Sequence, residues 1–205
     1  MIGEFTGMQM RVADYIANWL TKKDIKHVFT VTGGGAMYLN DAFGKHPKLK
    51  CIYNHHEQAS AMAAESYARL SRKMALVCVT SGPGGTNAIT GVLGGWLDSV
   101  PMLIISGQVR FNTTVRSTGL NLRQLGDQEF DITKVVTPIT KYAEMVVEPN
   151  DILYHLEKAY YLAMNGRRGP CWLDIPLDVQ GTLIDTNKLK KYNPREDKGE
   201  IAPKI

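Results

Sequence analysis

The feature that most constrains the fold is a regular alternation of short apolar runs with segments of helical character. Each run is long enough for one buried strand, and glycine or polar residues separate it from the next helical segment. The runs lie at residues 27–31, 51–53, 75–80, 101–106 and 171–176. Runs that are apolar on both faces are typical of a parallel sheet covered by helices. The pattern therefore predicts an α/β fold, a three-layer α/β/α domain with a mainly parallel sheet of about six strands.

Apolar spacing also predicts where the helices lie between these strands. The predicted helices cover residues 9–22, 36–43, the alanine-rich stretch after Gln58, 86–96, 128–135 and an amphipathic segment that starts at Pro149. Residues 110–127 are polar and lack a clear period, which predicts a long loop. A short strand region is expected within residues 139–147.

Composition excludes several classes of protein. Of the 205 residues, 44% are hydrophobic and 21% are charged, as in soluble globular domains. The net charge of +4 is too small and too scattered to indicate a nucleic-acid partner. No apolar run is long enough to cross a bilayer, and residues 1–8 do not resemble a signal peptide. Cys51, Cys78 and Cys171 lie in apolar runs without metal-ligand spacing, which predicts reduced thiols in a cytoplasmic protein.

The composition changes along the chain in a way that predicts three regions. Residues 1–8 are interpreted as an N-terminal extension or the remnant of a tag. Residues 9–181 form the predicted domain. Residues 182–205 are charged and have few apolar anchors, so we expect a linker that leads toward a central domain outside this chain.

Three turns of the predicted sheet are expected to share one edge. Right-handed crossovers bring the carboxyl ends of parallel strands together, and Gly33, Glu57 and Gly82 each follow a predicted strand. Ligands of open α/β sheets bind at this edge. Glycines there allow a ligand to approach the backbone closely, although the triplet Gly33–Gly35 has neither the dinucleotide fingerprint nor the P-loop lysine. The sequence predicts a single cleft built from three loops.

Glu57 is the candidate acid–base residue of this cleft. It lies where the run 51–53 gives way to an alanine-rich helix, so it is expected to be partly shielded from water, as an acid that exchanges a proton near neutral pH requires. A solvated residue that favours the helix dipole at the helix start is the alternative interpretation.

Several ordered motifs resemble thiamine-diphosphate enzymes, above all the acetolactate synthase group. They are NHHEQ at 54–58, SGPGGTN at 81–87, DSVP at 98–101, SGQ at 106–108, QE at 128–129, ITK at 139–141, RGP at 168–170 and LDIPLDVQ at 173–180. The resemblance covers roughly residues 9–181 and implies the N-terminal pyrimidine-binding domain of such an enzyme. It further implies chemistry on 2-oxo acids, namely decarboxylation and carboligation.

The resemblance also implies roles for individual residues. Glu57 would hydrogen-bond N1′ of the aminopyrimidine and share a proton with it, which makes Glu57 the catalytic residue. Cofactor-binding positions would be Glu57, Gly34, Gly82, Pro83 and Asn87. A tight turn that needs glycine is the alternative for Gly82, and a helix-start partner is the alternative for Asn87. The cofactor would be thiamine diphosphate with Mg2+, and the diphosphate and metal site would lie on a domain outside this chain. FAD, which some acetolactate synthases bind, is left open.

Three further residues match positions near the substrate in the family. His56, Gln128 and Lys141 are candidates for a substrate channel, and a packing or surface role is the alternative for each. His55 and Thr32–Gly33 replace the family's usual arginine and Tyr-Pro, which leaves the identity of the 2-oxo acid open.

The resemblance leaves two alternative functions open and implies that the domain associates with a second copy. A subunit of a split 2-oxo acid decarboxylase and a non-catalytic interaction module of the same fold are the two alternatives. Because active sites of the family form between two chains, the domain is expected to self-associate through its exposed face. Without the diphosphate site, this chain alone is expected to be inactive.

Overall fold

Six parallel strands form the central sheet of the protein. The computed structural model describes residues 9–197, and the strands in chain order are β1 (Gln9–Arg11), β2 (His27–Thr30), β3 (Lys50–Tyr53), β4 (Ala75–Val79), β5 (Met102–Gln108), β6 (Ala143–Met145), β7 (Pro170–Pro176) and β8 (Leu183–Asp185). The order across the sheet is β3-β2-β4-β5-β7-β6, with parallel pairing throughout. β1 and β8 pair antiparallel in a separate two-stranded ladder.

Helices cover both faces of the central sheet. They are α1 (Val12–Lys22), α2 (Met37–Lys45), α3 (Glu57–Ser71), α4 (Pro83–Leu97), α5 (Val115–Thr118), α6 (Ile132–Val136), α7 (Ile152–Met164) and α8 (Leu177–Gly181). Short 3-10 turns occur at Gly34–Ala36, Phe111–Thr113, Thr137–Ile139, Pro149–Asp151 and Pro194–Glu196. Side chains of α1, α2 and α7 pack in one core, and side chains of α3, α4 and α6 pack in the other. The predicted three-layer α/β/α fold is confirmed.

Alternate residues of the inner strands supply the two cores. In β4, Leu76 and Cys78 join the α1/α2/α7 core, whereas Ala75, Val77 and Val79 join the α3/α4/α6 core. Every residue of β4, β5 and β7 is buried. Burial on both faces explains why the sequence shows continuous apolar runs there instead of strict alternation.

Several element boundaries differ from the prediction. Residues 9–11 are a strand, so α1 begins at Val12 and not at residue 9. α4 begins at Pro83, three residues before the predicted start, because proline suits the first helical position. The helix predicted for 128–135 is limited to α6, since Gln128 has a positive φ of 55° that ends regular structure.

The described part of the predicted linker packs on the domain. Leu183–Asp185 pairs with β1, and both Leu189 and Tyr192 are buried. Tyr192 contacts the rings of Tyr154 and Tyr161 on α7. The compact unit therefore extends past the predicted boundary at residue 181. Whether the chain then leads to a central domain stays a prediction, and the predicted extension at 1–8 lies outside the described residues.

Candidate active site at the carboxyl edge of the sheet

The turns after β2 and β4 meet at the side chain of Thr80. Its Oγ1 accepts a hydrogen bond of 3.0 Å from the backbone N–H of Gly35. A Cβ added at Gly33 would lie 2.5 Å from Thr80 Cβ, and one added at Gly84 would lie 2.7 Å from Thr80 Cγ2. The glycines are needed because both turns approach this one threonine more closely than a side chain allows.

The end of β5 and helix α8 fix the glycine turn from behind. A Cβ added at Gly107 would lie 2.1 Å from the carbonyl oxygen of Gly35. The amide nitrogen of Gln180 donates to the carbonyl oxygens of Gly35 and Ile175, each at 2.7 Å. Gly34, by contrast, has no atom within 4 Å of the place where its Cβ would be. The turn is therefore held on one side, and at Gly34 it is open.

Glu57 lies at this edge as the first residue of α3. Only 9% of it is exposed, and the amide of Asn87 on α4 donates to its Oε2 at 2.9 Å. A Cβ at Gly84 would lie 3.5 Å from Oε1, the other carboxylate oxygen. Asn87 thus orients the carboxylate through Oε2, and Oε1 lies beside Gly84, where Thr80 fills the place of the missing Cβ.

Gly82 has a backbone conformation that only glycine adopts readily. Its φ is 57° and its ψ is −120°, and an added Cβ would lie 2.5 Å from the carbonyl oxygen of Gln128. The segment around Gln128 therefore abuts the turn that starts α4. Between them is a cavity of about 400 Å³ whose lining includes Gly82, Pro83 and Gln128.

A second cavity opens along the glycine turn. It measures about 470 Å³ and is lined by Gly33, Gly34, Gly35, Thr80, Ser81, Val109, Arg110, Thr113, Asp127, Gln128 and Leu177. Arg110 is the single lysine or arginine in this lining, and its side chain makes no ion pair with the described residues 9–197. The loop that carries Arg110 is fixed, because the N–H of Phe111 donates to Asp178 at 3.1 Å. An anionic group could enter this cavity and meet an unpaired guanidinium.

The structure brings most of the predicted site residues together. Six lie at the carboxyl edge: Gly34, Glu57, Gly82, Pro83, Asn87 and Gln128. His56 is adjacent to them, where its exposed ring caps α3 by accepting from the N–H of Gln58 at 3.1 Å. The three predicted turns therefore share one edge, but neither of the two cavities described is lined by Glu57, so a single cleft built from three loops stays a prediction.

Lys141 lies at the opposite edge of the sheet. Its backbone N–H donates to Pro170, the first residue of β7, and its ammonium donates to the carbonyl oxygens of Asn165 and Arg167 at 2.7 and 2.8 Å. Within this chain Lys141 therefore lies apart from the other channel candidates, and its role in a substrate channel stays a prediction. The ITK motif alone could not reveal this, because the edge depends on how β6 pairs with β7.

Sequence reasoning missed Thr80, Arg110 and Gln180. Thr80 is the last residue of an apolar run, a position that could have indicated contact with the turns. Arg110 and Gln180 carry no local signal, because their contacts depend on residues far away in the chain.

The sequence comparison decides the family. Residues 10–135 match the family model described as thiamine pyrophosphate enzyme, N-terminal TPP binding domain. The chain belongs to this thiamine pyrophosphate enzyme family. The match covers the glycine turn, Glu57, the Gly82 turn and Gln128, whereas Gln180 and Leu177 lie beyond the matched residues.

Within this family, the chain is similar to the large subunits of acetolactate synthases. The chain is 37% identical to the acetolactate synthase large subunit of Haemophilus influenzae over 198 residues, which is 92% of this chain and 33% of the relative. It is 39% identical over 160 residues to that of Lactococcus lactis, covering 78% of this chain and 26% of the relative. For the acetolactate synthase isozyme 3 large subunit of Escherichia coli the identity is 34% over 201 residues. The chain thus spans about a quarter to a third of the length of these curated relatives.

The described residues 9–197 contain neither a metal-binding cluster nor a membrane-spanning helix. No group of three or more His, Cys, Asp or Glu side chains among residues 9–197 is placed to hold a metal ion. Among the same residues, no helix has the length and apolarity needed to cross a membrane.

Proposed function

We propose that this chain is the pyrimidine-binding domain of a thiamine-diphosphate enzyme that decarboxylates and ligates 2-oxo acids. The observation that carries the proposal is the environment of Glu57. Its carboxylate is shielded from water at the carboxyl edge of a parallel sheet, and Asn87 engages one oxygen while the other lies beside Gly84. The similarity to acetolactate synthase large subunits supports the choice of 2-oxo acids as substrates.

The described residues fit an aminopyrimidine ring. Glu57 Oε1 lies at the same edge of the sheet as Gly34, whose backbone is open on one side. Bound thiamine diphosphate supplies the electron sink for 2-oxo acid chemistry. In our proposal, Glu57 exchanges a proton at Oε1 with the N1′ position of the ring. Asn87 holds Oε2, and Gly82 and Pro83 allow the ring to approach the backbone.

The remaining cofactor contacts are assigned outside this chain. We place Mg2+ and the diphosphate on another domain, so residues 9–197 would supply only the pyrimidine half of the site. The exposed apolar side chains Met62, Leu93 and Leu97 on α3 and α4 offer a face for self-association, which would complete a site between two chains. We also propose a cytoplasmic location, because Cys51, Cys78 and Cys171 are free thiols.

The proposed activity is tested on the complete gene product that carries this chain. We expect release of CO2 from pyruvate or another 2-oxo acid, together with a carboligation product, only when thiamine diphosphate and Mg2+ are both added. The 205-residue chain alone should show no turnover and negligible heat on titration with the cofactor. Turnover without added cofactor, after dialysis against a chelator, would contradict the proposal. A complete gene product that binds the cofactor without turnover would favour the non-catalytic module.

A substitution at Gly34 should separate cofactor use from stability. Because an alanine Cβ there meets no atom within 4 Å, Gly34→Ala is expected to change the free energy of unfolding by less than about 0.5 kcal/mol. The same methyl group occupies the open edge, so we expect the cofactor concentration at half-maximal activity to rise by about tenfold, a change that corresponds to about 1.4 kcal/mol. Urea titration and a cofactor titration of the complete gene product measure the two effects. Unchanged cofactor dependence would remove Gly34 from the site.

A substitution at Arg110 should identify the group that holds the substrate carboxylate. Charge-assisted hydrogen bonds to a guanidinium contribute about 1.5–3 kcal/mol, so Arg110→Gln is expected to raise KM for the 2-oxo acid by roughly tenfold or more. We expect a smaller change in kcat. Arg123→Gln serves as a matched control, because Arg123 is exposed between α5 and α6 and does not line the cavity. Equal KM values for the two variants would exclude the assigned role of Arg110.

A further inference from the structure

A buried carboxylate lies behind the candidate site. Asp174 is fully buried in β7, opposite Ser106 of β5. Its Oδ1 accepts from the Ser106 hydroxyl at 2.6 Å, and its Oδ2 accepts from the Gln108 amide at 3.0 Å. Asp174 makes no ion pair among the described residues 9–197. Burying a carboxylate without a cation costs free energy unless hydrogen-bond donors surround it. The donors around Asp174 therefore determine which of its protonation states the structure accommodates.

The hydroxyl of Ser106 has a fixed direction. Its oxygen accepts from the indole N–H of Trp172 at 2.8 Å, so its proton points to Asp174. Adding a proton to Asp174 Oδ1 would place two hydrogens between these oxygens, and the bond would have to reverse. The Ser106 hydroxyl would then lose the acceptor it now has.

The amide of Gln108 is fixed as well. Its nitrogen donates to Asp174 and to the carbonyl oxygen of Phe130, the latter at 2.8 Å. Its oxygen accepts from the N–H of Val109 at 3.0 Å. A flipped amide would lose the bonds to Phe130 and Val109 together. The network is therefore complete only when both oxygens of Asp174 accept, that is, when Asp174 is ionised.

Phe130 connects this network to the candidate site. Two residues earlier in the chain, the carbonyl oxygen of Gln128 packs against Gly82, with no room for a Cβ between them. Gln128 is held at a positive φ of 55°, a conformation that persists only where surrounding contacts impose it. The hydrogen bond from Gln108 to Phe130 is one of those contacts.

We propose that Asp174 is a positioning residue whose charge holds segment 126–131 against the Gly82 turn through Gln108. Because the Ser106 hydroxyl already places a hydrogen at Oδ1, a proton taken up by Asp174 goes to Oδ2, where it meets the N–H of Gln108. Gln108 then loses an acceptor that keeps its amide in place, and the segment is released. The mechanical link depends only on the contacts described. Its effect on cofactor binding rests on the proposed function.

The charges around Asp174 set the pH range of this link. Burial raises the pKa of Asp174 to about 7. The hydrogen bonds from Ser106 and Gln108 act in the opposite direction and lower this pKa. The negative charge of Asp131 raises it, and the positive charge of Arg116 lowers it. The charged groups that face Asp174 are themselves paired: Lys134 lies 3.3 Å from Asp131, and Arg116 lies 3.7 Å from Glu144 of β6. Proton uptake by Asp174 is thus expected between pH 8.5 and 5.5.

Hydrogen exchange of the whole 205-residue chain tests the proposal without cofactor or substrate. The amides of Glu129 and Ile132 are suitable reporters, because they donate to the backbone carbonyls of Gly126 and Phe130 and not to a titrating side chain. After correction for intrinsic exchange, we expect their protection to fall at least tenfold between pH 8.5 and 5.5. Amides of β4 report on the global fold and should keep their protection.

Two variants decide the assignment. Asp174→Asn cannot ionise, so the protection of Glu129 and Ile132 should be low and independent of pH. Gln108→Met cuts the link to Phe130 while Asp174 still titrates, and the same two amides should again show low, constant protection. Constant protection in the wild-type chain overturns the proposal, as does a pH-dependent change in either variant. If Asp174→Asn fails to fold, Gln108→Met decides alone. None of these readouts depends on whether the protein is an enzyme.

Discussion

Glu57→Gln in the complete gene product is expected to lower turnover of the 2-oxo acid by about 10³-fold, within the 10²–10⁴ range of a positioned acid–base group. Glutamine preserves the size of the side chain but cannot exchange a proton. Its amide would also change the pairing with Asn87, which now donates to Glu57 Oε2 at 2.9 Å. Steady-state assays at saturating thiamine diphosphate measure the effect. Cofactor affinity should change far less than turnover, because we assign the residues that bind the diphosphate to another domain.

Glu65→Gln is the matched control for this experiment. Glu65 lies two turns further along α3, away from the edge that carries Glu57, and pairs with Arg69 of the same helix. The control variant should retain turnover within a factor of two or so of wild type. If Glu57→Gln were as active as Glu65→Gln, the proton-exchange role would be lost, although the fold and family assignment would stand.

Gly82→Ala is expected to destabilise the domain by about 2–4 kcal/mol. A residue other than glycine is strained at a φ of 57° and a ψ of −120°, and its Cβ would meet the backbone oxygen of Gln128 at 2.5 Å. Relief requires movement of the turn or of segment 126–131, so the cleft should be altered as well. Urea unfolding of the 205-residue chain measures the change in the free energy of unfolding.

Gly94→Ala provides the opposite expectation in the same helix. Gly94 lies inside α4, and its added Cβ would have no atom within 4 Å. Alanine is favoured over glycine in a helix interior, so this variant should be more stable by about 0.5–1 kcal/mol. Gly82→Ala and Gly94→Ala should therefore change the free energy of unfolding in opposite directions. A Gly82→Ala variant as stable as Gly94→Ala would mean that the contact between Gly82 and Gln128 is not rigid.

The fold could be predicted because its signals are local. Continuous apolar runs, such as residues 75–80, exist only where a strand is covered on both faces, and the handedness of crossovers then fixes a common edge. This is why Glu57, Gly82 and the glycine turn could be placed together from the sequence.

What could not be predicted depends on pairings between distant parts of the chain. The strand β1 looked like the start of a helix, because its partner β8 is 170 or more residues away. Lys141 was assigned to the channel by its motif, but its strand region lies at the far side of the sheet order. Asp174 sits in a run whose neighbours are apolar, and nothing local reveals Ser106 and Gln108 as its donors.

The pairing of β1 with β8 has a consequence for how the domain opens. Gln9 is paired with Asp185, so the ladder closes a loop that contains nearly the whole domain. The entropic cost of so long a closure is recovered only after the central sheet has formed, so this clasp should be the last part to assemble. By the same reasoning it should fray first under mild denaturant, while the six-stranded layer stays intact.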